Sequence, residues 1–156
     1  MGEPLAELAL QNKDVDHEFY RGLGDTTVHS AIRCGSGSLI PRLLQLSGPS
    51  VLKFEVNGET LLMTALAVGY HEAAVQLSSL TGIDSSLVTP KGLTIFDLAI
   101  QNCLPSTILH LLRKEPSIMN FTGPSGNPPI FSVITSNQPD VLRFMISQGV
   151  DVIARG

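Results

Sequence analysis

The chain has 156 residues, enough for one domain with a continuous core. Apolar residues make up 43% and charged residues 15%, a balance that excludes a disordered chain. A net charge of −4, no Trp, two Tyr and six Phe argue against both a phosphate-binding surface and a base-stacking platform, so no nucleic-acid partner is expected.

The first residues, "MGEPLAELAL", put Glu rather than Lys or Arg before the apolar stretch and so do not make a secretory signal. Gly2 is followed by Ala6 where a myristoylation signal needs Ser or Thr. No apolar run reaches the length of a membrane span, so no membrane partner is expected. Two cysteines, Cys34 and Cys103, make no disulfide framework. The expected compartment is therefore reducing and intracellular, cytoplasmic or nuclear.

From residue 24 the chain repeats itself. "GDTTVHSA" begins at Gly24, "GETLLMTA" at Gly58, "GLTIFDLA" at Gly92 and "GNPPIFSV" at Gly126, each a step of 34. The apolar positions keep the same register. Val28, Leu62, Phe96 and Ile130 share one column, Ala31, Ala65, Ala99 and Val133 a second, Ile32, Leu66, Ile100 and Ile134 a third, and Leu43, Leu77, Leu111 and Met145 a fourth.

Within each copy the local signals agree. Thr26, Thr60 and Thr94 stand just before an apolar run, where a hydroxyl can cap a first helical turn. Pro128 and Pro129 take that place in the last copy. About eight residues of helix follow, ending at Gly35, Gly69, Cys103 or Asn137; Gly and Asn suit the left-handed residue that closes a helix. A second helix starts at Pro105 and Pro139, and Pro41, lying slightly deeper, delays or distorts the first turn of its own copy. Glycine- or proline-rich links such as "SGPSVLKFEVNG" then lead on as extended, hairpin-like connections.

These copies resemble ankyrin repeats, whose pattern is about 33 residues with a T-P-L-H-x-A core, a turn and two helices. "GDTTVHSA" lacks only the Pro and has Val for Leu; "QGVDV", residues 148–152, and "TGID", residues 81–84, resemble the segment after the family's second helix. The tetratricopeptide repeat shares the period of 34, but needs longer helices and a bulky aromatic pattern that this Trp-free chain lacks. The resemblance implies an all-α ankyrin-repeat solenoid of stacked helix–turn–helix units with hairpin-like connections. Residues 1–156 would form a single domain, with units at 23–56, 57–90, 91–124 and 125–156. Residues 3–22 would supply an N-terminal capping helix and hairpin, since "PLAELAL" lies 34 before "SLIPRLL". The motif histidine survives only as His29; Met63, Asp97 and Phe131 occupy its column elsewhere. The chain stops at "DVIARG", inside what would be the next hairpin, so it reads as part of a longer protein or as one with an irregular end.

No catalytic, cofactor or metal site is expected. His29 and Cys34 are five residues apart and do not face each other on one helix. His17, His29, His71 and His110 show no ligand spacing with one another or with the cysteines. The acidic run "DVDHE", residues 14–18, reads as a solvated hairpin, and the recurring glycines as turn residues rather than a phosphate cradle.

What the resemblance implies about function is recognition of another protein through the concave face. Carried over position by position, the exposed hairpin places are Leu23, Asp25, Asn57, Glu59, Lys91, Leu93, Ser125 and Asn127. Those near the end of each first helix are Arg33, Cys34, Ala67, Val68, Gln101, Asn102, Thr135 and Ser136, and all of these but Ser125, Cys34 and Ala67 are taken as partner contacts. Apolar anchors among hydrogen-bonding groups suit a protein partner. The chain is thus expected to be a monomeric interaction module, the N-terminal part of a longer intracellular protein. The alternatives are the substrate-targeting domain of an enzyme whose catalytic domain lies outside this chain, and a structural spacer.

Overall fold

The computed structural model describes residues 27–47, 52, 55–81, 83–102 and 104–153. Over these the backbone runs as successive helix pairs. The first is α1 (Thr27–Arg33) and α2 (Ile40–Ser47), the latter preceded by a 3₁₀ turn at Gly37–Leu39. That turn is the distortion expected from Pro41, which enters one residue after α2 begins. A short antiparallel ribbon follows, β1 (Glu55–Val56) and β2 (Glu59–Thr60). Asn57 and Gly58 between them have φ of 54° and 76°, the paired positive angles of a two-residue hairpin turn that matches strand twist.

The next pairs are α3 (Leu61–Ala67) with α4 (His71–Thr81), α5 (Ile95–Asn102) with α6 (Pro105–Lys114), and α7 (Pro129–Thr135) with α8 (Pro139–Ser147). Their starts follow from the residues before them. Thr60 is extended, at φ −77° and ψ 165°, and its hydroxyl accepts from the Met63 N–H at 3.3 Å. Thr94 caps α5 reciprocally: its Oγ1 accepts from the Asp97 N–H, while Asp97 Oδ2 accepts from the Thr94 N–H, each at 3.0 Å. Pro129, Pro105 and Pro139 occupy first-turn positions, where a missing N–H costs nothing. Thr26, the cap expected for α1, lies outside the described residues. Thr60→Ala should therefore lower stability by about 1 kcal/mol in urea unfolding followed by circular dichroism, with the slope unchanged.

The first helices also end alike. Gly35, Gly69 and Asn137 have φ of 72°, 71° and 52°. The N–H of the following residue turns back to a carbonyl inside the helix: Ser36 to Ala31 at 2.9 Å, Tyr70 to Ala65 at 2.9 Å and Gln138 to Val133 at 3.2 Å. Cys103, the corresponding place after α5, lies outside the described residues, as does the capping segment 3–22.

The pairs stack side by side. First helices meet in the order α1, α3, α5, α7, and second helices α4, α6, α8 follow suit. The core is the set of columns seen in the sequence: Val28, Leu62, Phe96 and Ile130, the Ala31–Val133 column, and Leu43, Leu77, Leu111 and Met145 are all buried. The third column departs from expectation at its end. Ile32, Leu66 and Ile100 are buried, but Ile134 is exposed, because no described element packs beyond α7. Hydrogen bonds also cross between pairs. Ser78 Oγ donates to the Val75 carbonyl at 2.9 Å and so accepts from His110 Nε2–H, 3.2 Å away on α6. Arg113 on α6 lies over the Phe144 ring of α8, 5.4 Å from its centroid.

Candidate protein-binding face

Two tips, at residues 91–93 and 124–127, and the helices that follow them, α5 and α7, come together around one depression. It is a groove of about 430 Å³. Lys91, Leu93, Gln101 and Asn127, expected from the sequence as partner contacts, line it together with Ser125, another expected tip residue, and with Asp97, Pro124 and Ser132.

Asp97 organises the groove floor. Its Oδ2 accepts from the Thr94 N–H at 3.0 Å and the Thr94 hydroxyl at 2.9 Å, which closes the first turn of α5. Its Oδ1 accepts from Ser132 Oγ at 3.1 Å, on the first helix of the following pair. One carboxylate therefore both caps a helix and ties two helix pairs, and its lone pairs are largely spent on the protein itself. What the groove offers a partner is the exposed ammonium of Lys91 at the rim and the exposed amides of Gln101 and Asn127. The Asn127 N–H donates to Ser125 Oγ at 3.4 Å, which holds the tip closed. Leu93 is a correction to the sequence reading: expected to be exposed, it is half-buried and packs against the core. The isolated bridge between Val88 and Thr94, with the Thr89 N–H donating to the Leu93 carbonyl at 2.8 Å, turns that side chain inward.

The remaining candidates are spread along the stack. Asn57 is exposed at the β1–β2 turn, whereas Glu59, like Leu93 expected to be exposed, is half-buried because it pairs with Val56 on β1. Arg33, Val68, Asn102, Thr135 and Ser136 are exposed at or just beyond the ends of first helices. Asn102 Nδ2 donates to the Leu98 carbonyl at 3.0 Å and Thr135 Oγ1 to the Phe131 carbonyl at 3.0 Å, each within its own helix. Leu23 and Asp25 lie outside the described residues.

The residues missed from sequence are Asp97 and Ser132. Thr94-x-x-Asp97 has the spacing of a reciprocal cap, a signal that was present to be read. Nothing local in the sequence pairs Asp97 with Ser132, because that contact exists only once two pairs stack. Asp84 lies before the tip in the link after α4, where bonds from the Ser86 hydroxyl and then the Ser86 N–H hold its carboxyl below the usual range; it is not in the groove. A larger, mostly apolar cleft of about 690 Å³ lies between α2 and α4, lined by Pro41, Leu44, Leu52, Val75 and Leu80, and its described walls contain no tip residue. His29 is buried on α1, and Cys34 is an exposed free thiol just beyond that helix. Among the described residues, no three His, Cys, Asp or Glu side chains gather where an ion could be held, and no helix is long and apolar enough to cross a membrane.

No protein-family model and no curated protein matches the sequence. Solved structures do. A chain in the structure of the Bd0816 predatory endopeptidase from Bdellovibrio bacteriovorus in complex with immunity protein Bd3460 is similar at a TM-score of 0.75 and 26% identity, over 94% of this chain and 75% of that one. The ankyrin repeat domain of Bcl-3, a member of the IkappaB protein family, is similar at 0.67 and 20%, over 84% and 60%. A chain in the complex of the yeast ribosomal protein Rps3 with its chaperone Yar1 is similar at 0.63 and 19%, over 91% and 99%. The fold is an all-α stack of the ankyrin-repeat type.

Proposed function

We propose that this chain is an ankyrin-repeat module that binds another protein across its concave face, with no chemistry of its own. Its units fall at residues 23–56, 57–90, 91–124 and 125–156, with residues 3–22 as an N-terminal cap, and it works as an intracellular monomer. The observation that carries the reading is the groove between α5 and α7. Two successive repeats put a cation, two amides and a half-buried leucine around one depression, and its floor is pinned by Asp97. Such a surface can seat a short stretch of a partner, taking its backbone by the amides and an acidic side chain by Lys91. Two of the similar solved structures are of complexes between proteins, which supports a protein as the partner. Among the remaining candidates, Arg33, Asn57, Glu59, Val68, Asn102, Thr135 and Ser136 would extend the contact along the same face.

The test is affinity capture followed by a binding titration with the captured protein. The variant carries Lys91→Glu, Gln101→Ala and Asn127→Ala, three exposed positions whose change leaves the unfolding midpoint within a few degrees. Binding should weaken at least tenfold, the effect of losing about 1.4 kcal/mol at the centre of an interface. A partner held equally well by the variant would place recognition elsewhere.

A further inference from the structure

The groove between α5 and α7 holds a charge that its hydrogen bonds do not answer. Asp97 accepts from the Thr94 N–H, the Thr94 hydroxyl and the Ser132 hydroxyl, and all of these donors are neutral. They fix the carboxylate in place but leave its negative charge without a counter-ion. Among the described residues, neither Asp97 nor Lys91 lies within ion-pair distance of an opposite charge, although both line the same depression. The charge is also local to this junction. At the same position of the two earlier pairs stand His29 and Met63, both buried, and in the last pair Phe131. The groove is rich in acceptors besides. Ser132 spends its hydroxyl proton on Asp97, so its oxygen is left to accept. The side-chain amides of Gln101 and Asn127 make no bond among the described residues, and each brings a carbonyl oxygen.

We propose that the groove receives an arginine side chain of the partner, with its guanidinium on Asp97 and the Ser132 hydroxyl, while Lys91 takes an acidic side chain of the same segment. The inference rests on the reading of this groove as a partner site and narrows the partner to a segment carrying both signs of charge. Charge complementarity selects the occupant. A fixed carboxylate in a half-buried setting attracts a cation more strongly than one free in water. A segment with acidic residues alone would bring like charge onto Asp97. Guanidinium rather than ammonium follows from the donors needed. Its planar fork of N–H groups can meet a carboxylate and neutral oxygens together, and its weaker hydration makes entry into the groove less costly. The NH2 groups of Gln101 and Asn127 remain for the partner's backbone.

The test titrates the isotope-labelled chain at low salt with two probes, N-acetyl-arginine amide and N-acetyl-citrulline amide, which share a shape but not a charge. Backbone amide resonances are followed by nuclear magnetic resonance. The arginine probe should bind about fivefold tighter or more, with saturable shifts at Asp97, Gln101 and Ser132 and no comparable change around the exposed Asp151. Asp97→Asn keeps the shape, since its oxygen can accept from Thr94 and its amide can donate to Ser132, and it should abolish the preference with the fold intact. Lys91→Gln touches none of the Asp97 bonds and removes a repelling cation, so the arginine probe should gain about twofold in affinity or more. An Asp97 that only supports the fold predicts no such gain. Equal binding of the two probes, or equal shifts around Asp97 and Asp151, would overturn the proposal. Should the Asp97→Asn chain not fold, the probe comparison in the unaltered chain and in Lys91→Gln decides. If the probes bind equally while the Lys91→Glu, Gln101→Ala, Asn127→Ala variant still releases a captured partner, the binding face stands and the arginine alone is removed.

Discussion

Phe96→Ala should lower the free energy of unfolding by about 3–5 kcal/mol, read as a fall in the urea midpoint by circular dichroism. Phe96 is 2% exposed on α5, the first helix that touches both α3 before it and α7 after it, as well as α6 and the 3₁₀ turn at Pro116–Met119. Truncation there opens a cavity inside the continuous buried core, whose neighbouring side chains are themselves packed, so the space cannot collapse cheaply. Leu62→Ala in the same column, one pair earlier, should cost about 2–5 kcal/mol for the same reason. The position within a stack adds a second signature. Contacts run between adjacent pairs, so loss of Phe96 weakens two interfaces at once, and exchange should rise in α3 to α7 before the rest. An unfolding curve that overlaid the wild type for either variant would remove the stacked-column account of the core.

The columns that predict these costs were legible because a helix pair must bury the same faces each time it is repeated. A step of 34 in the glycines, with apolar residues in fixed register behind them, leaves few other arrangements. The caps were legible for a local reason: a hydroxyl before an apolar run, or a proline in a first turn, acts on residues three or four away. The site was only half visible. Position alone brought out Lys91, Gln101 and Asn127, since tips and helix ends recur with the repeat. It misjudged Leu93, because a leucine on a tip can turn onto the core when the strand beside it bridges inward. It passed over Asp97 and Ser132, whose bond spans 35 residues and exists only between stacked pairs. The exposure of Ile134 was hidden for a related reason: an apolar column marks which residues want a neighbour, but it does not say whether the neighbour is there.

Gly69→Ala should be among the most damaging single-methyl changes in the chain, on the order of 2–4 kcal/mol. Two separate costs meet at this glycine. Its φ is +71°, a left-handed angle that closes α3 and that a Cβ penalises by about 1–2 kcal/mol. Beyond that, a Cβ built there would stand 2.6 Å from the backbone oxygen of Asn102, at the end of the first helix of the next pair. That oxygen belongs to main chain and cannot rotate aside, so the two pairs would have to part slightly, loosening the packing of α3 against α5. Gly35 provides the comparison. It closes α1 with nearly the same φ, +72°, yet a Cβ there meets nothing within 4 Å. Gly35→Ala should therefore show the conformational cost alone, about 1 kcal/mol, and the excess in Gly69→Ala should measure the close approach between pairs. Equal losses for the two variants in urea unfolding would mean that the Asn102 carbonyl does not constrain the stack, and that α3 and α5 have room to spare where this structure brings them together.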